Sequence, residues 1–172
     1  MKTVMKTVIY FDMDGVLAKW DPDASLEETY MPGFFLSRRP EFVMIEAVKC
    51  LVRLGMDVRI LSSAYDNGHA AVEKASWLKE YGLDIPRCFV PYGKKKTEFI
   101  DQENINVLID DYSKNLHEWS AEGNIGFKFY NGVNGSHGTW HGYSVNNKMT
   151  AEEIAIVISS VSKAHGQLAY AG

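Results

Sequence analysis

The stretch TVIYFDMDGVL, residues 7–17, decides how the rest of this chain folds. Its apolar β-forming residues are followed directly by Asp12 and Asp14, and a buried strand has no inexpensive way to end in two carboxylates. Residues two apart on a strand point to the same side, so both carboxylates should face one spot while Met13 turns away. Carboxylates that converge in this way favour a divalent cation such as Mg²⁺. An ordinary acidic turn after an edge strand is the alternative interpretation.

Length and composition limit the classes of protein to consider. The chain has 172 residues, of which 46% are hydrophobic, and this predicts one domain over residues 1–172. A net charge of −4 provides no basic field for duplex nucleic acid. Cys50 and Cys88 lie in apolar stretches outside any metal-ligand pattern, which indicates buried thiols in a reducing cytoplasm. We find neither a signal-peptide pattern before Asp12 nor an apolar run that would span a membrane.

Further along the chain, helical and strand periodicities alternate. Ser113 is placed to cap one of the predicted helices, and Thr150 with Glu153 forms the capping-box pattern that opens the last one. The predicted strands cover about residues 7–11, 57–61, 88–90, 106–109 and 126–130, and the predicted helices about residues 41–54, 70–81, 97–100 and 113–122 and from 150 onward. This alternation predicts an α/β fold with a Rossmann-like, doubly wound parallel sheet. Residues 19–40 would form a small cap insertion after the first strand.

Polar residues follow each of the first four predicted strands. Asp12 and Asp14 follow the first strand, Ser62 and Ser63 the second, a lysine run over residues 94–96 the third, and Asp110 and Asp111 the fourth. In open parallel sheets, ligands bind beyond the carboxyl ends of the strands. The sequence therefore predicts that acids, hydroxyls and a cation meet at one rim.

These four groups, in this order, resemble the motifs of the haloacid dehalogenase superfamily of aspartate-nucleophile phosphohydrolases. The stretches DMDGVLA, PGFF, VRILSSA and VLIDD are most similar to its 5′(3′)-deoxyribonucleotidase-like group. The resemblance implies that Asp12 is the nucleophile and Asp14 the general acid and base. It also implies that a serine and a lysine bind the phosphate, and that Asp110 or Asp111 completes a Mg²⁺ site with Asp12 and Asp14. The implied reaction is Mg²⁺-dependent hydrolysis of a phosphomonoester, with a nucleoside monophosphate as the expected substrate.

Spacing leaves several choices open. Ser62 is favoured over Ser63 only by strand phase, and either could simply be a polar strand end. Lys96 is favoured over its two neighbours because it adjoins the short helix predicted after it, although a charge run is usually a solvated surface. Asp110 and Asp111 cannot be separated, and a helix-capping role is the alternative for Asp111.

The predicted cap holds the residues that would recognise the leaving group. Trp20 and Phe34 could stack on a nucleobase, or could instead pin the small cap to the core. Arg38 and Arg39 could meet a second phosphate or face solvent. The cap is shorter than is usual in the nucleotidase-like group, so a homodimer could supply the missing cover.

Two other protein classes share parts of this pattern. A phosphoreceiver domain also uses acids, a hydroxyl and a lysine, but it lacks paired aspartates after its first strand. A haloacid-dehalogenase-like binding or regulatory protein, or a phosphotransferase, would keep every residue type seen here. The glycine-rich loop 131–142 contains His137 and His141, whose spacing is a poor zinc pattern beside Gly138. Its glycines could be turn residues, or Trp140 could anchor the loop on a neighbouring surface.

Overall fold

A single sheet of six parallel strands organises the protein. The computed structural model describes residues 5–133 and 139–171, with side chains as far as residue 167. The strand order is β3-β2-β1-β4-β5-β6. The strands are β1 Thr7–Phe11, β2 Asp57–Ala64, β3 Arg87–Pro91, β4 Ile105–Asp110, β5 Ile125–Tyr130 and β6 Tyr143–Asn146. All five strand pairs are parallel, so the predicted Rossmann-like α/β fold is confirmed.

Helices cover both faces of this sheet. They are α1 Leu26–Thr29, α2 Phe42–Arg53, α3 Ala70–Glu80, α4 Ser113–Ala121 and α5 Ala151–Ala171, with a short 3₁₀ helix at Lys96–Phe99. Helices α2, α3 and α5 contribute to the larger hydrophobic cluster, and α4 contributes Leu116 and Trp119 to a smaller one. None of the helices in the described part of the chain is long and apolar enough to cross a membrane.

Strand β1 shows why the opening stretch is apolar throughout. Ile9 and Phe11 belong to the larger cluster, whereas Val8 and Tyr10 belong to the smaller one. Alternate side chains therefore enter opposite helical layers, and a central strand of a parallel sheet must be apolar on both faces. β1 pairs with β2 on one side and β4 on the other, which brings three strand ends together at the rim.

The structure also differs from the sequence-based expectation at several places. Strand β6 was not predicted, and it pairs in parallel with β5 although no helix is described between them. Helix α1 was missed too, although Ser25 and Glu28 form a capping box at its start. Ser113 does not cap α4, because its hydroxyl accepts a hydrogen bond from the buried Lys128 ammonium at 2.6 Å. The capping box at Thr150 is confirmed.

Residues 19–40, the predicted cap, lie against the site end of the core. Phe34 and Phe35 are buried in a cluster with Ala64 and Ala70, which matches their interpretation as residues that pin the segment down. His137 lies outside the described residues, and His141 is exposed. Trp140 is half-buried against the smaller cluster and its indole donates to the Tyr143 carbonyl at 2.8 Å, so it anchors the described end of its loop.

Both cysteines are free, as expected, but the thiols are less buried than the sequence suggested. Cys50 and Cys88 are each half-buried. Partial burial raises the pKa of the Cys88 thiol above its ordinary value. A thiol with a raised pKa is a weak nucleophile at neutral pH, so Cys88 is a poor candidate for a nucleophile.

Candidate functional site

Three buried carboxylates form a compact acid cluster at the ends of the two central strands. Asp12 directly follows β1, Asp110 is the last residue of β4, and Asp111 follows it. One oxygen of each carboxylate lies within 4.8 Å of the other two, and this cluster could hold a metal ion. The structure therefore brings together three of the four predicted metal ligands, while the Asp14 side chain lies outside the cluster.

Lys96 joins two members of the acid cluster. Its ammonium lies 3.0 Å from Asp12 Oδ1 and 2.6 Å from Asp110 Oδ2. Burial by itself would lower the pKa of Lys96, but the two carboxylates outweigh that effect and raise it above its ordinary value. Lys94 and Lys95 are both exposed, so Lys96 is the lysine of the run that reaches the predicted site.

Asp110 and Asp111 both belong to the acid cluster. This explains why their spacing in the sequence did not favour one over the other. Asp110 accepts hydrogen bonds from Asn115 Nδ2 at 3.0 Å and from the Tyr112 backbone N–H at 2.8 Å, besides its pair with Lys96. Burial raises the pKa of Asp110, and the Lys96 charge opposes that rise. Asp111 accepts a hydrogen bond from Asn131 Nδ2 at 3.2 Å. The N-cap position of α4 is occupied by Tyr112, one residue after Asp111.

Asp14 lines a cavity together with Asp12 and Lys96, but its side chain is paired with a different lysine. Its Oδ2 pairs with the ammonium of Lys74, a buried lysine on α3. Its Oδ1 is buried and has no hydrogen-bond partner among the described residues. Burial is the largest cause of a raised pKa at Asp14, with a smaller contribution from the Asp12 charge and opposition from Lys74. Desolvation, more than the neighbouring acid, therefore accounts for the raised pKa of Asp14.

The two serines at the end of β2 occupy different environments. Ser62 is fully buried, and its hydroxyl lies 3.2 Å from Lys74 Nζ. Ser63 lines the cavity, and its backbone carbonyl accepts from the same ammonium at 2.6 Å. Strand phase favoured Ser62 as the phosphate ligand, yet Ser63 is the serine of the pair that borders the cavity.

Lys74 was missed by the sequence analysis, although a signal was present. Ala70, Lys74, Trp77 and Leu78 occupy one helical face at spacings of four, three and one residues, and all four are buried. A buried lysine on such a helical face needs a partner of opposite charge. Its partner, Asp14, is 60 positions away along the chain, which no local pattern reveals.

A cavity of about 360 Å³ opens above these groups. Asp12, Asp14 and Lys96 line its floor, and aromatic side chains form much of its wall. These aromatic residues are Trp20, Phe35, Tyr65, Tyr92 and Tyr112. Tyr92 and Tyr112 are exposed, so the cavity has an aromatic mouth and a charged floor.

Only one of the two predicted stacking residues reaches this cavity. Trp20 lines it, whereas Phe34 packs behind Trp20 with ring centroids 6.2 Å apart. The Arg38 guanidinium lies over the Phe34 ring, 4.1 Å from its centroid. It therefore occupies a ring face on which a nucleobase would have to stack. Arg38 and Arg39 line a second cavity of about 310 Å³ on the other side of Trp20, so neither points into the first.

Comparisons with known proteins identify the fold but no family. No protein-family model matches the chain, and no curated protein matches it. A chain in "Structure of Pnkp1/Rnl/Hen1 complex" superposes with a TM-score of 0.59 at 17% identity, covering 74% of this chain and 47% of that one. A chain in "Structure of the Pnkp1/Rnl/Hen1 RNA repair complex" gives 0.56 at 16% identity, covering 74% and 43%. This chain thus spans less than half the length of either, and the likeness establishes the fold alone.

Proposed function

We propose that this protein is a Mg²⁺-dependent phosphomonoester hydrolase of the haloacid dehalogenase type, which works through an aspartyl-phosphate on Asp12. The observation that carries the proposal is the setting of the Asp12 carboxylate. It borders a cavity, it pairs with Lys96, and it lies beside Asp110 and Asp111. A carboxylate can attack an anionic phosphate only where nearby positive charge offsets the repulsion between them.

The donor set of the acid cluster fits Mg²⁺. All three donors are carboxylates, with no histidine or cysteine among them, and hard oxygen donors suit Mg²⁺ better than Zn²⁺. Asp12, Asp110 and Asp111 would hold the ion. When bound, Mg²⁺ would neutralise charge on the phosphoryl oxygens.

The side chains divide the chemistry between them. Asp12 would attack phosphorus, so that a carboxylate O–P bond forms while the bond from phosphorus to the leaving oxygen breaks. Asp14 would give its proton to that oxygen, and burial raises the pKa of Asp14 in the direction that favours its protonated form. In the second step water would attack phosphorus and give a proton to Asp14, while the bond from phosphorus to the Asp12 oxygen breaks and inorganic phosphate leaves. Splitting one displacement into two is the usual benefit of covalent catalysis.

We infer that the ester is a nucleoside monophosphate, with deoxynucleotides as the preferred class. The aromatic mouth supports this choice, since Trp20, Tyr65 and Tyr92 offer flat apolar surface beside a phosphate-sized charged floor. Tyr65 and Tyr92 have ring centroids 4.8 Å apart with their planes tilted by 52°, and Tyr65 is also stacked on Tyr30 at 4.1 Å, so Tyr65 supports the exposed Tyr92 ring. The net charge of −4 disfavours a long polyanion. Because the fold recurs in chains of an RNA repair complex, an RNA oligonucleotide with a terminal phosphate belongs in the test.

The test is phosphate release from a panel of esters, with Mg²⁺ and with EDTA, by the wild type, Asp12→Asn and Asp84→Asn. The panel contains deoxyribo- and ribonucleoside monophosphates, glycerol phosphate, p-nitrophenyl phosphate and the phosphorylated oligonucleotide. Asp84 is an exposed aspartate on the surface, so its variant controls for loss of a carboxylate. We expect Mg²⁺-dependent release that is fastest with deoxynucleotides, abolished in Asp12→Asn and retained in Asp84→Asn. Absence of metal-dependent release from every ester, or full activity in Asp12→Asn, would refute the proposal.

A further inference from the structure

A second buried lysine lies in the site, and the proposed chemistry does not yet use it. Lys74 is only 1% exposed, although its side chain carries an ammonium group. Burying such a charge is unfavourable unless it is paired and hydrogen-bonded. A lysine kept there, directly beside the proposed acid, requires a reason.

The contacts of Lys74 show what its ammonium does. Its three N–H groups meet three protein acceptors, which are Asp14 Oδ2, the Ser62 hydroxyl and the Ser63 carbonyl. An ammonium has three donors and no more, so Lys74 has none left for a phosphoryl oxygen. The face of the Phe35 ring lies 4.5 Å from Nζ and covers another side.

Lys96 offers a clear contrast. Among the described residues its ammonium contacts two acceptors, Asp12 Oδ1 and Asp110 Oδ2. One N–H of Lys96 therefore remains for a phosphate in the cavity that both lysines line. The two lysines are thus suited to different tasks, although both are buried.

Helix α3 is held so that Lys74 has a fixed position. The neighbouring Glu73 accepts hydrogen bonds from the backbone N–H groups of Gly33 at 2.6 Å and Phe35 at 3.2 Å. One turn later, the Trp77 indole donates to the Arg38 carbonyl at 2.8 Å. These bonds fasten α3 to the cap segment on one side while Lys74 reaches the strand ends on the other.

We propose that Lys74 is a positioning residue for the general acid: its ammonium holds the Asp14 carboxyl through Oδ2 and so fixes where the acid lies at the cavity. This inference rests on the proposed function. Asp14 has one fixed anchor, because Oδ2 is paired with Lys74 and Oδ1 has no hydrogen-bond partner among the described residues. A group held by one oxygen pivots little, and small errors in the placement of a catalytic group slow a reaction markedly.

The test separates the positioning of an acid from the binding of a phosphate. A p-nitrophenolate leaving group departs without protonation, whereas the alkoxide of glycerol phosphate needs a proton from the acid. We would measure kcat/KM for both esters with the wild type, Lys74→Met, Lys74→Arg and Lys79→Met, an exposed lysine on the same helix. The ratio of the two values within one preparation does not depend on how much of the protein is folded.

We expect Lys74→Met to lower kcat/KM for glycerol phosphate at least about tenfold more than for p-nitrophenyl phosphate, because a misplaced acid loses part of its catalytic contribution. Lys74→Arg, which keeps the charge and donors, should change the ratio less, and Lys79→Met should leave it unchanged. Equal loss with both esters in Lys74→Met and Lys74→Arg would overturn the inference and leave the proposed function intact. A wild type that is inactive with every ester of the panel, nucleotides included, would instead refute the proposed function itself.

Discussion

Replacing Gly15 by alanine would disturb the acid cluster without removing a polar group. Gly15 has φ +76°, and a Cβ built there would lie 2.8 Å from Asp111 Oδ1 and closer still to other atoms of that carboxylate. Asp111 would have to rotate away. Gly55 provides a matched control, because its φ is +75° and no described atom lies within 4 Å of its Cβ position.

Both substitutions strain the backbone, but only Gly15→Ala should also weaken Mg²⁺ binding. An L-residue in the left-handed region is destabilised by about 1–2 kcal/mol, which applies to both variants. Misdirecting a metal ligand should also weaken Mg²⁺ binding by about 10- to 100-fold in Gly15→Ala, by analogy with losses on mutating ligand-orienting residues. At a Mg²⁺ concentration 100 times the wild-type Kd, the ion stabilises the wild type by about 2.7 kcal/mol. The same concentration would stabilise Gly15→Ala by only about 0.4–1.4 kcal/mol.

Urea unfolding with and without Mg²⁺, together with isothermal titration of Mg²⁺ into each protein, measures both quantities. Gly55→Ala should lose stability but keep the full Mg²⁺-dependent increment. If Gly15→Ala binds Mg²⁺ within a factor of two of Gly55→Ala, Asp111 is not a ligand and the cluster does not work as described.

Three further outcomes follow from single contacts. Lys96→Met should lower the unfolding free energy by about 3 kcal/mol in urea, because it leaves buried carboxylates unpaired, whereas Lys94→Met should change it little; equal effects would contradict the assigned pairing. The Arg59 guanidinium holds the pKa of Asp57 at about 2, below its value of 3.8 in an unfolded chain, so this pair stabilises the protein above about pH 4 and less as the pH falls toward 2. Asp57→Asn should therefore lower stability by about 1 kcal/mol at pH 7, after allowance for solvent screening, and hardly at all at pH 2; a pH-independent loss would refute the linkage. Tyr92→Ala should raise KM for a nucleoside monophosphate about 5- to 10-fold through lost stacking and leave KM for glycerol phosphate unchanged, whereas an equal rise for both would exclude stacking.

Local pattern was sufficient for most of the fold, and tertiary pairing explains what it missed. Strand β1 was recognisable because both of its faces are buried, which makes its apolar run continuous. Strand β6 has only Val145 buried among its four residues, so it shows no periodicity beyond that of a loop. Ser113 looks like a cap in sequence, but the Lys128 ammonium that it binds comes from β5, and this partner decides its role.

In the candidate site, too, some residues could be predicted from local sequence and others depend on tertiary packing. Asp12, Asp110 and Asp111 follow strands, and strand ends converge in any parallel sheet, so their proximity was predictable. Lys96 could be chosen by its adjacency to a short helix, and the burial of the other site lysine, Lys74, depends on how α3 packs. Tyr65 and Tyr92 directly follow β2 and β3, but only polar residues were considered at the strand ends, and the stacking residues were taken from the predicted cap.

The bonds from Glu73 to the Gly33 and Phe35 amides have a consequence for the way the molecule opens. Most of segment 19–40 lacks regular secondary structure, and such segments usually open independently of the core. Here two backbone N–H groups of the segment donate hydrogen bonds to the buried Glu73 carboxylate on α3. The segment and the sheet should therefore unfold as one cooperative unit. Native-state hydrogen exchange should find these amides nearly as protected as those of β1. A substrate would then enter through the aromatic mouth of the cavity without prior opening of segment 19–40.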